Sequence, residues 1–128
     1  MTDQPTTSRK ATAVAFLRQA ASGQAREAFR AYAGAGFRHH NPFFRGDAES
    51  LARAMDENAA KNPDKVLEVQ RALEDGDLVA VHARVRLGPD QPEVAVVHLY
   101  RFEGDGIVEL WDIAQPAPKD VVNERGMF

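Results

Sequence analysis

The sequence predicts an α+β fold in which three helices precede a mostly antiparallel sheet. Two features carry this expectation. Apolar residues recur at helical spacing through the first half of the chain, and from about residue 66 the period falls to two, with alternating valines and turn dipeptides between the runs. A length of 128 residues, 44% hydrophobic and 27% charged, suits one domain with a core of its own.

The elements follow in order. Residues 1–7 are polar and include Pro5, which predicts a disordered tail ahead of a single domain over 8–128. Ser8 is the expected cap of a first helix with Ala13, Phe16, Leu17 and Ala20 on one face, ended by Gly23. A second helix is expected in QAREAFRAYA, stopped by the Gly-Ala-Gly at 34–36, so that the two form a helical hairpin. Asp47 should cap a third helix bearing Leu51, Met55 and Ala59, with Asn62-Pro63 as its stop signal. Strands are expected near 66–74, 78–88, 93–103 and 107–115, and the last two connections read as hairpins.

Composition excludes several functions. The net charge of -3 and the scattered basic residues argue against nucleic acid as a partner. No run approaches the roughly 20 apolar residues that span a bilayer, and MTDQPTTSRK lacks a signal-peptide core, so no membrane association and a cytoplasmic location are expected. The absence of cysteine rules out disulfides, thiolate nucleophiles and thiolate metal sites. The Gly-Ala-Gly follows a helix rather than a strand, unlike a phosphate-binding loop.

Chemistry must therefore centre on four histidines and the carboxylates. Two of the histidines stand in FRHHNPFF at 37–44. Neighbouring side chains of an extended chain point to opposite faces, so His40 with Asn41 is expected on a pocket rim and His39 in solvent. The plainer reading is that Asn41-Pro42 merely shapes a turn. In LVAVHARVR, Val79, Val81, Ala83 and Val85 share one face, while His82 lies on the other with Ala80, Arg84 and Arg86. In VELWDIAQ, Asp112 shares a face with Leu110 and Ala114, and burial there would raise its pKa. A structural Asp112 paired with an arginine such as Arg84, a packing Trp111 and a core His98 are the corresponding plain readings. A metal site on His40, His82, His98 and Asp112 lacks any tight local ligand motif.

Taken together, HNP at 40–42, ALEDGDLVAVHARV at 72–85, VVHLYRFEGDGIVELWDIAQPAP at 96–118 and the closing NERGMF resemble the SnoaL-like polyketide cyclase branch of the nuclear-transport-factor-2-like superfamily. The sequence is particularly similar to proteins assigned as SnoaL-like aldol-condensation enzymes. The resemblance implies a cone of curved, mostly antiparallel sheet wrapped around N-terminal helices, a cystatin-like α+β barrel with a pocket at its wide end. It further implies a homodimer that needs neither metal nor organic cofactor. The residues that carry over are His40, Asn41, Pro42, His82, Trp111, Asp112 and the closing Asn123, Gly126, Met127 and Phe128. The chain departs from the family where it has Leu110 before the tryptophan in place of the common histidine, and His98 in place of an acidic residue of the preceding strand.

Aldol-type closure needs a base to take a proton alpha to a carbonyl and a donor for the developing enolate oxygen. Asp112 is the candidate base, with His40 or His82 as donor or orienting group. Asn41, His98, Trp111, Phe43, Phe44 and Tyr100 are candidates for binding an apolar or aromatic carbonyl compound. The expected function is thus a cofactor-independent cyclase, isomerase or lyase. The alternatives are a non-catalytic small-molecule-binding or dimerisation module and a hydrolase in which a carboxylate activates water. Convergence of Asp112 with His40 or His82 on one enclosed space would favour the enzyme, and pairing of these groups with arginines, or their exposure to solvent, the binding module.

Overall fold

A computed structural model describes residues 7–128, so the expected tail lies almost wholly outside the described residues. Helix α1 spans Arg9–Ala21, α2 Ala25–Tyr32 and α3 Ala48–Lys61; strands are β1 Ala33–His39, β2 Val66–Asp75, β3 Leu78–Arg86, β4 Glu93–Glu103 and β5 Gly106–Pro116. They form a five-stranded sheet in the order β1-β5-β4-β3-β2, antiparallel except where β1 runs parallel to β5. The α+β class and the mostly antiparallel sheet agree with the sequence. Among the described residues no helix is long and apolar enough to cross a membrane.

Local chemistry sets the helix ends. The Ser8 hydroxyl accepts from the Ala11 amide at 3.0 Å, and the Asp47 carboxylate accepts from the Ser50 amide at 2.9 Å, each satisfying an otherwise unpaired donor of a first turn. Helix α2 has no cap of its own; Asp56 of α3 reaches over and accepts from the Ala25 amide at 2.7 Å. The N-terminus of α1 is tied to two turns of the sheet, because Arg9 donates to the carbonyls of Gly76 and Gly104.

The helices lie against one face of the sheet. Phe16, Phe29, Phe37 and Tyr100 form a chain of edge-on rings with centroids 5.0–5.7 Å apart, which joins α1, α2, β1 and β4. Val79, Val81 and Ala83 are fully buried beneath this layer, as their alternation indicates.

One element departs from expectation. The Gly-Ala-Gly at 34–36 is part of β1, and α2 ends two residues earlier at Tyr32. Helical periodicity could not reveal this strand, since its two glycines carry no side chain to mark a face. The glycines answer instead to backbone proximity. The Cα of Gly34 lies 2.9 Å from where a Cβ on Gly106 would stand, and Gly36 has a φ of 76°. We expect Gly106→Ala to cost about 1–3 kcal/mol through this clash, measurable as a lowered urea midpoint with an unchanged slope.

Candidate functional site

The site forms where β4 and β5 face the helices. Pairing sets His98 opposite Asp112 and Tyr100 opposite Leu110, and cross-strand partners project to the same side. With Phe16, Leu17, Leu51 and Met55 these residues line a cavity of about 150 Å³. A wider recess of about 380 Å³ shares Leu17, Asn41, Met55, Lys65, His98 and Asp112 with it and reaches Phe43 and Ala114.

Asn41 is held to one orientation at the cavity wall. Its Oδ1 accepts from the Phe43 amide at 2.9 Å, so its Nδ2 is the end that donates to Asp112 Oδ2, also at 2.9 Å. The Asn-Pro turn and the pocket contact are therefore one arrangement. Asp112 is partly exposed into the recess and, among the described residues, pairs with no arginine; Arg84 pairs with Glu93 instead.

Two polar atoms at the cavity wall are shielded from solvent and have no hydrogen-bond partner among the described residues: His98 Nδ1 and the Tyr100 hydroxyl. Burial pushes the His98 imidazole down to about 4, outweighing the upward pull of Asp112 and reinforced by the Lys65 cation. His98 is therefore neutral at pH 7. Burial, together with the Asp112 charge, raises the Tyr100 phenol well above its ordinary value and keeps it a donor.

Several expected site residues lie elsewhere. His40 is on the outer face of the sheet, its Nε2 2.6 Å from Glu109 Oε2 and its ring stacked on Trp111 at 5.0 Å. Glu109 is 8% exposed and also accepts from Arg38 and Arg101; the His40 bond foremost, then those of Arg101 and Arg38, hold its carboxyl near 2 despite burial. Trp111 is thus on the face opposite the cavity. His82 is outside as well, bonded through Nδ1 to Arg71 and stacked on Phe128 of the folded-back tail. His39, expected in solvent, is 5% exposed: its Nδ1 accepts from the Asn41 amide and its Nε2 contacts the Arg45 carbonyl. The reversal has a simple cause. Strand β1 pairs with β5 at the edge of the sheet, so His39 faces inward beside Leu110 and His40 outward beside Glu109.

Of the sequence-predicted residues, the cavity and its recess thus gather Asp112, Asn41, His98, Tyr100, Phe43 and Phe44, with Phe43 83% exposed at the mouth. His40, His82 and Trp111 are not among them. Lys65 and Asn58 were not anticipated. Lys65 lines both spaces, and its Nζ donates to Asn58 Oδ1 at 3.0 Å. A signal existed: Lys65 continues the alternation of Leu67 and Val69, which pack against the core. Among the described residues no group of three or more His, Asp or Glu side chains could hold a metal ion.

The fold is thus an α+β cone with a largely apolar, open-mouthed cavity that has a carboxylate on its wall. Residues 13–110 match the SnoaL-like domain family, and the chain belongs to that family. Solved structures of similar fold include IdmH from Streptomyces antibioticus, assigned as a polyketide cyclase, at 21% identity and a TM-score of 0.70, with 85% of this chain and 93% of that one covered. A cystatin fold protein from Novosphingobium aromaticivorans is 24% identical, with a TM-score of 0.68 and coverage of 84% and 98%. An NTF2-like protein from Cytophaga hutchinsonii is 16% identical, with a TM-score of 0.69 and coverage of 90% and 95%. No curated protein matches the sequence.

The neutral His98 makes stability depend on pH. Its unfolded value is near 6.5 and its folded value about 4, so the unfolded chain binds the extra proton between them. Its contribution is fully present above pH 6.5, is lost progressively as pH falls to about 4, and does not change further below. In His98→Gln this part of the stability-pH curve should flatten, as measured by urea unfolding at a series of pH values.

Proposed function

We propose that this protein is a cofactor-independent enzyme that enolises a carbonyl compound in the apolar cavity, as a cyclase of the aldol-condensation type or an isomerase. The observation that carries this reading is Asp112. Among the residues lining the cavity and recess it is the single carboxylate, and its Oδ2 is fixed by Asn41 while Oδ1 accepts no hydrogen bond from the described residues. A carboxylate with one oxygen anchored and one free is suited to take a proton from carbon. The name polyketide cyclase, given to IdmH, is consistent with this chemistry.

In the forward step, Asp112 Oδ1 removes the proton alpha to the carbonyl, and the electron pair moves onto the carbonyl oxygen. The Tyr100 hydroxyl and the neutral His98 imidazole supply uncharged donors at the cavity wall. In a cyclase the enolate carbon then attacks a second carbonyl of the same molecule, and the new alkoxide regains the proton. In an isomerase the proton returns to a different carbon.

The convergence first expected, of Asp112 with His40 or His82, is absent; both histidines pair on the outer face, and His98 is the imidazole that meets Asp112. The hydrolase alternative is not favoured, because the lining holds neither a second carboxylate nor an arginine. Asp112→Asn should lower hydrogen-deuterium exchange at the alpha carbon of ketones and beta-keto esters by about a hundred-fold or more, read by NMR. Absence of exchange with the unaltered protein across such a panel would instead support a binding module.

A further inference from the structure

Lys65 stands out as a charged group that the proposed reaction has not used. It lies just before β2, in the turn that follows α3, where its amide donates to the Asn62 carbonyl at 3.0 Å. Its side chain is half-buried in the lining of both the cavity and the recess. Among the described residues its polar partner there is the neutral amide of Asn58, not a carboxylate. Burial pushes its ammonium below the ordinary lysine value, because a cation is disfavoured where water is partly excluded. A lysine held only by structure would usually keep its head group in solvent.

We propose that Lys65 is the cation that receives the substrate's anionic oxygen, and that the substrates are carbonyl compounds whose enolate charge gathers on one oxygen near the recess. This rests on the enolisation reading. Asn58 holds the ammonium by one bond, leaving two of its three N–H donors for a ligand. Lys65 and Asp112 both line the same space and both act on His98, so the enolate charge would form between the group that takes the proton and the group that balances it. Such a fixed cation strengthens as water is excluded, and it stabilises the enolate more than the neutral ketone.

The test uses 4-nitrophenol, a planar molecule whose phenolate carries its charge on one oxygen and can be read by its absorbance. Once the proton has moved, Asp112 is neutral and the ligand is anionic, so the Asp112→Asn protein reproduces that charge state. Bound 4-nitrophenol should ionise about one to three pH units below the free molecule. Adding Lys65→Met should abolish this change, and Lys65→Arg in its place should keep most of it. Retention of the change in a folded Lys65→Met protein overturns the proposal, as does a phenol that binds only in its neutral form or not at all. The reading on which it rests fails separately: loss of alpha-proton exchange with the ionisation change intact removes the enzyme and leaves an anion site. Conversely, exchange that persists undiminished in Lys65→Met removes Lys65 alone.

Discussion

The site depends on a single extra residue in β5. In the hairpin that joins β4 to β5, Phe102 pairs with Ile107 but Arg101 pairs with Glu109, so Val108 is a bulge. The bulge reverses the alternation of everything after it. Ile107 faces the core, and without the added residue Glu109 and Trp111 would follow it inward while Leu110 and Asp112 turned out. With it, Leu110 and Asp112 face the helices and the charged Glu109 meets the arginines. A register choice made a turn away thus decides which carboxylate lies at the cavity and which at the outer surface.

The outer face keeps that choice in place. Glu109 accepts from Arg38 and His40 at the end of β1 and from Arg101 of β4, three cationic or polar partners on the two strands that flank β5. These bonds draw β1 alongside β5, and β1 in turn delivers Asn41 to Asp112. The groups that fix the strand and the groups that line the pocket alternate along one backbone, so the two sets of side chains never compete for the same space. The C-terminal tail adds to the outer layer, with Phe128 between His82 and the Arg84 guanidinium 4.9 Å from its ring.

Much of this was legible in the sequence because it was periodic. The helix caps at Ser8 and Asp47 and four of the strands obey local rules, and the alternation in VELWDIAQ placed Asp112 with Leu110 correctly. What failed was non-local. A strand made largely of alanine and glycine shows no period, and its parallel pairing with the last strand of the chain is invisible to any window of sequence. The faces of His39 and His40 were inverted for that reason. Lys65 was missed because a lysine beside a stop signal looks like a solvated residue until the alternation is carried back one step beyond the strand.

The anchoring of Asn41 has a consequence for stereochemistry. Because its carbonyl oxygen is taken by the Phe43 amide, its NH₂ stays turned toward Asp112 Oδ2, and a proton carried by the carboxyl belongs on Oδ1. In the proposed reaction one oxygen atom then both takes the proton and gives it back. In the isomerase branch, removal and return occur from the same side of a planar enolate, so a chiral or deuterium-labelled substrate would show suprafacial transfer, its handedness set by the turn at Asn41-Pro42.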